Sequence, residues 1–210
     1  MTSAPQDNYL LSTLSADDLA SLRRHFRTIE LRAGRILAHP GDEIRNIYFP
    51  HSGIISFTVE TVDGHLVQTS MVGRDGVIGA AQALDGGVSL NQIVAQVSAT
   101  ASVIDRDALR DAVSAGSAFR NVLASHEQFF VADIQQTAVC NALHTVEARM
   151  CRWLLRMMDL SKTKLQLTQD QLAAMIGQTA RPFQKRPFTS NQRASSLIAA
   201  ARLPSLMLWD

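Results

Sequence analysis

The sequence predicts an α+β chain: an N-terminal β jelly-roll, then one long helix, then the opening of a helix-turn-helix. Three observations predict it. Between Ile29 and Ile104, short apolar or alternating runs are separated by glycine-containing turns at intervals of roughly ten residues, the pattern of a sandwich or barrel. From Ser117 to about Leu143 there is neither Gly nor Pro, and the apolar period becomes helical. Finally, Thr168 with Gln171 forms a capping box ahead of Leu172, Ala173 and Ile176, and Gly177 marks a tight turn.

Taken in order, Ser15-Ala16-Asp17-Asp18 opens a short amphipathic helix with Leu19, Leu22 and Phe26 on one side and Arg23, Arg24 and Arg27 on the other. Turns follow at Pro40-Gly41-Asp42, His51-Ser52-Gly53, Gly73-Arg74-Asp75-Gly76 and Asp85-Gly86-Gly87. Asp63-Gly64 between Ile54–Thr61 and Leu66–Val72 is a strong hairpin signal. Asp105-Arg106-Asp107-Ala108 starts a helix that Ala115-Gly116 interrupts. On the long helix, Phe119, Leu123, Phe130, Ile134, Thr137 and Asn141 recur at spacings suited to a seam against a partner helix. A helix of about 26 residues spans roughly 39 Å, more than a small domain needs for itself, so it reads as a dimer spine. Packing on its own barrel is the alternative. Thr145 caps the next helix, with Val146, Met150, Trp153, Leu154 and Met157 on one face and Arg149, Arg152 and Arg156 on the other. Lys162-Thr163-Lys164 is a polar turn, and Leu165–Leu167 a brief extended entry to the helix-turn-helix.

At 210 residues and 46% apolar, the chain has room for one sizeable domain and a small one. No run approaches the roughly 18 to 20 apolar residues of a membrane helix. Met1 to Asn8 has no basic n-region or apolar h-region, so cytoplasm is the expected location. The net charge of +1 is unevenly split. Residues 178–210 carry Arg181, Lys185, Arg186, Arg193 and Arg202 against Asp210, a net +4 that leaves the body at −3. A basic end on a mildly acidic body suits nucleic-acid contact, or is a solvated tail. Cys140 and Cys151 exclude a disulfide framework; on one continuous helix they would stand about 16 Å apart. With no Cys-x-x-Cys, buried structural thiols are expected and a metal site is not.

Helix, jelly-roll, long spine and helix-turn-helix, in that order, resemble the Crp/Fnr superfamily of bacterial transcription regulators. Gly73-Arg74-Asp75-Gly76-Val77-Ile78-Gly79 resembles the glycine-rich turn of that family's sensor barrel. The run from Gln135 to Leu155 looks like the spine-to-winged-helix junction of one subgroup, and Leu167 to Ala173 like the start of its helix-turn-helix. The resemblance covers residues 10–177. It implies a cyclic-nucleotide-binding-like sensor domain over 1–116, a dimerisation helix over 117–144, and a winged helix-turn-helix over 145–210 that turns aberrant after 177. It further implies a homodimer, double-stranded DNA as partner and a place for RNA polymerase, with no membrane. Carried over by position, the sensor pocket wall is Gly76, Val77, Gly79, Asn91 and Gln92, and the DNA-contacting residues are Thr168, Gln169, Arg181, Gln184, Lys185 and Arg186.

Two departures qualify the resemblance. Members that bind cyclic AMP carry Gly-Glu followed some ten residues later by Arg-Ser; the Glu meets the ribose and the Arg neutralises the phosphate. Here Gly76 precedes Val77, and Ser89-Leu90-Asn91-Gln92 stands near the Arg-Ser position. Neither carboxylate nor cation is present, so no cofactor is expected and cyclic nucleotide least of all; haem through His39, His51 or His65 stays open. The second departure is the tail. Arg181-Pro182 could imitate the start of a recognition helix, but Pro187 inside it would cost about 3 kcal/mol, and no wing is legible. Codons permitting Asn191 to Ile198 also permit winged-helix text in another frame, so a frameshift near codon 177 is the favoured explanation. The expected function is a Crp/Fnr-type DNA-binding regulator with an unknown signal. The alternative is a sensor and dimerisation module that has lost DNA reading through a frameshift or divergence. With no Gly-x-Ser-x-Gly, His-Glu-x-x-His or Gly-x-x-x-x-Gly-Lys, no enzyme is expected.

Overall fold

The computed structural model describes residues 7–161 and 167–177. Seven strands form two antiparallel sheets. β1 (Arg27–Leu31), β7 (Ala99–Asp105) and β3 (Asn46–Pro50) lie in that order in one sheet. β2 (Ile36–Ala38), β6 (Gln92–Val97), β4 (Ile54–Glu60) and β5 (Leu66–Val72) form the other. The Asp63-Gly64 hairpin is present: β4 pairs antiparallel with β5, with a register shift between Phe57 and Thr58. The mixed helix and sheet, the antiparallel β-sandwich and the long helix all agree with the sequence. The recognition helix and wing fall outside the described residues.

The helices surround this sandwich. α1 (Tyr9–Ser12) and α2 (Ala16–Arg23) precede it, α3 (Ala80–Asp85) bridges β5 and β6, and α4 (Arg106–Ala115) leads into α5 (Ser117–Leu143). α6 (Val146–Leu160) and α7 (Gln169–Ile176) follow. Ser15, Asp105, Thr145 and Thr168 each cap a helix by accepting a backbone N–H, as their sequence positions predicted. Phe26 and Arg27 were expected on the first amphipathic helix but lie past its end, and Arg27 opens β1. The short helices α1 and α3 were not anticipated, since four and six residues offer too little periodicity to read.

Alternation along the strands divides the apolar side chains among three cores. Ile47 and Phe49 of β3 and Ile104 of β7 face outward to Leu11, Leu22, Leu109, Phe119 and Leu123 of the helices. Between the sheets lie Leu31, Ile55, Phe57, Val72, Ile93 and Val103, with Tyr48 and Phe130 packed against them. On the far side, Ile54 and Met71 meet Trp153, Met157, Leu160 and Met175 of α6 and α7. Cys140 on α5 is buried and Cys151 on α6 half-buried, on separate helices rather than one.

The expected dimer seam is corrected here. Phe119 and Leu123 are buried in the chain's own core, Phe130 sits 4.9 Å from the Phe57 ring, and the Thr137 hydroxyl accepts from Arg152. Ile134 is half-buried and Asn141 exposed. The face left open is one residue earlier at most positions: Ala118, the half-buried Val122, Ser125, Phe129, Ala132, Gln136, Val139 and Leu143, alternating by four and three. Two apolar series share the helix, and the one with the larger rings packs against the barrel, where burial is worth most.

Candidate functional site

The functional face is built where α5 and α6 cross the sheet. On β5, the strand period turns Val72 and Ser70 inward toward α5 and Met71 outward toward α6. Ser70 Oγ donates to Asp133 Oδ2 at 2.9 Å, Asp133 Oδ1 accepts from Arg152 Nη2 at 2.8 Å, and Arg152 Nη1 donates to Thr137 Oγ1 at 3.0 Å. One turn further along α6, Arg156 pairs with Asp75 in the glycine-rich turn, while the other Asp75 oxygen accepts from the Gly73 N–H at 3.1 Å. Both ion pairs are mostly shielded from water, so losing one partner would leave a charge poorly solvated. The result is a polar line from strand to spine to α6.

His126 was not singled out in the sequence, although it stands three residues after Leu123 and four before Phe130 in the inward series. It is buried, its ring stacks on Phe130 at 6.1 Å, and its Nε2 accepts the Val77 N–H at 3.3 Å. Nε2 is the acceptor in this bond, and Nδ1 lies 3.8 Å from Glu127 Oε1. A proton on Nε2 would set donor against donor. Gly76 is required for this approach: a Cβ there would lie 2.5 Å from His126 Nε2 and 2.7 Å from Val72 Cγ1. His126 and Phe130 pack against β5 and leave about 10 Å³ between strand, α5 and α6, room for one water.

The five residues expected to wall one pocket are not brought together. Gly76 and Val77 are packed under His126, and Val77 belongs to the helix-covered core. Asn91 sits in the turn before β6, where its carbonyl accepts from Ser89 Oγ at 2.7 Å, and the Gln92 carbonyl accepts from Thr58 Oγ1 at 3.4 Å. Only Gly79 borders open space, a separate cavity of about 180 Å³ beside Ile44, Tyr48 and Ile93. Positional carry-over failed because the glycine-rich turn is used here to admit a histidine.

On the DNA side, Thr168 and Gln171 make the full capping box, Gln169 is exposed at the first position of α7, and Gly177 ends it with φ +63°, a conformation that favours glycine. Arg181, Gln184, Lys185 and Arg186 lie outside the described residues. Of the histidines considered for haem, His51 is buried with its Nε2 2.9 Å from Ser102 Oγ, and His65 lies beside Asp63 in the hairpin turn. Burial holds the His51 pKa below the ordinary histidine value, with Asp7 acting weakly the other way.

Residues 28–115 match the family described as the cyclic nucleotide-binding domain. No curated protein matches the chain. Among solved structures, the c-di-GMP-responsive global regulator CLP of Xanthomonas campestris is 15% identical with TM-score 0.62, covering 90% of this chain and 92% of that one. A transcriptional regulator of the crp/fnr family from Eubacterium rectale gives 12% identity and TM-score 0.68 over 83% and 82% of the two chains. FixK2 from Bradyrhizobium japonicum gives 14% and 0.63 over 73% and 78%. At these identities the likeness is one of fold, and it extends past the cyclic nucleotide-binding domain itself.

Proposed function

We propose that this chain is a non-catalytic, cytoplasmic regulator of transcription of the Crp/Fnr type, binding double-stranded DNA as a homodimer. The observation that carries the reading is α7: an eight-residue helix with a complete capping box at one end and a left-handed glycine at the other. It is joined through α6 to a 27-residue spine. That is the first helix and turn of a helix-turn-helix, whose second helix would enter the major groove. The fold likeness to CLP over nine-tenths of the chain supports the same reading. The open series from Ala118 to Leu143 on α5 supplies the dimer surface, since its spacing suits knobs-into-holes packing against a second copy. A change within the sandwich would reach α6 through the Ser70–Asp133–Arg152 line and the Asp75–Arg156 pair.

Fluorescence anisotropy with a labelled 30-base-pair duplex tests the DNA half. Affinity should fall steeply as salt rises, because each phosphate neutralised releases about 0.9 counterion. Absence of binding at low salt would overturn the reading. Phe129→Glu should convert a dimer to a monomer in analytical ultracentrifugation, and an unchanged dimer would remove α5 as its surface.

A further inference from the structure

The cavity beside Tyr48 in the sandwich is unused by anything described so far. It measures about 180 Å³ and lies between the sheets, walled by Leu37, Ala38, Ile44, Tyr48, Ile78 and Ile93. Its rim is polar, made by Glu43, Arg45 and Asn46. The shape and the wall limit what could enter. A nucleotide calls for a pocket of roughly 300 Å³ or more, whereas an apolar cavity of about 150 Å³ holds a single benzene ring. An inorganic ion would gain nothing from five aliphatic side chains.

The rim selects charge. Arg45 lines it directly, and Arg27 Nη2 donates to the rim residue Asn46 at its Oδ1, 2.7 Å away. Arg35, beside β2, acts on Tyr48 together with Arg27: burial raises the Tyr48 pKa, and these two cations oppose that rise. Glu43 is the one carboxylate on the rim, and Arg106 and Arg45 both hydrogen-bond it and hold its pKa below the usual carboxylate value. Glu43 is shared by Arg106 and Arg45, so one carboxylate faces two guanidinium groups, and Arg27 adds a third positive charge at Asn46.

We propose that this cavity binds a small organic monoanion, with an apolar body no larger than one ring seated among Leu37, Ile44 and Ile93 and a carboxylate held at the mouth by the arginines. This names a ligand class for the sensory half of the proposed function but rests on the sandwich alone, so loss of DNA binding would leave it standing.

Isothermal titration of the full chain with benzoate, and separately with benzyl alcohol, at low salt tests it. Benzoate should bind one to one, and about ten-fold more tightly than benzyl alcohol, a ratio set by the rim charge. The double variant Arg27→Gln/Arg35→Gln should weaken benzoate by about ten-fold and benzyl alcohol by less than about two-fold. Ile93→Trp, which fills the cavity, should abolish both. Ala38→Leu, a milder filling checked by circular dichroism, decides the point if the tryptophan variant does not fold. No heat with benzoate, binding that survives either filling variant, or equal affinity for the neutral alcohol would each overturn the proposal.

Discussion

Two regions of the sandwich, the one under α5 and the one beside Tyr48, are finished differently. Where α5 crosses β5, His126 and Phe130 leave only about 10 Å³ between helix and strand, and Phe130 packs on Phe57. Beside Tyr48, about 180 Å³ stays open between Leu37, Ile44 and Ile93. The difference lies in what covers each region. A long helix brings large rings to the first, while the second has only a turn and the arginines around it. Strand pattern alone therefore does not tell a closed barrel from one with a pocket; the elements packed around it do.

The comparison can be tested by truncating one side chain in each region. Phe130→Ala should cost the most, about 2 to 3 kcal/mol in urea unfolding, the lower part of the range for a phenylalanine because the ring is only half-buried. A smaller, pH-dependent effect belongs to His51 on the helix-covered sheet. Its folded pKa lies below the ordinary value of about 6.5, so the unfolded chain takes up the proton first. Stability from this residue is complete above about pH 6.5 and is lost as pH falls below it, with a slope of at most about 1.4 kcal/mol per pH unit. His51→Gln should flatten that slope in unfolding curves taken between pH 7.5 and about 5. The smallest effect is expected in the open region: Leu37→Ala, at a half-buried site already facing a void, should cost under about 1 kcal/mol. Equal costs for Phe130→Ala and Leu37→Ala would mean that the two regions are packed alike.

Much of the fold was legible. The Asp63-Gly64 hairpin, the break at Gly116, the span of α5 and the capping residues of four helices all follow from short-range chemistry written within a few residues. The site was less legible, because it depends on which of two faces a helix turns inward. On α5 both series have spacings of three and four, and choosing between them requires knowing that Phe57 waits on β4 for Phe130. Gly76 likewise looked like part of a ligand wall, and only its nearness to His126, fifty positions away in sequence, reveals the different use. The open cavity had no local signature, since its walls come from β2, β3, β6 and two turns.

One detail of the sheet beneath α7 bears on how firmly that helix is seated. Gln171 of α7 donates to the Gln96 carbonyl at 3.2 Å, and on the same strands the buried Gln96 and Gln68 side chains share one hydrogen bond of 3.2 Å. Gln68 Nε2 and Gln96 Oε1 are left without partners. Leaving a buried polar group unpaired costs about 1 to 3 kcal/mol. Lifting α7 would admit water to both amides, offsetting part of what it costs to uncover the apolar side chain of Met175. The helix is thus held by a clasp whose opening hydration assists, and its amide protons should exchange through excursions far smaller than unfolding of the sandwich.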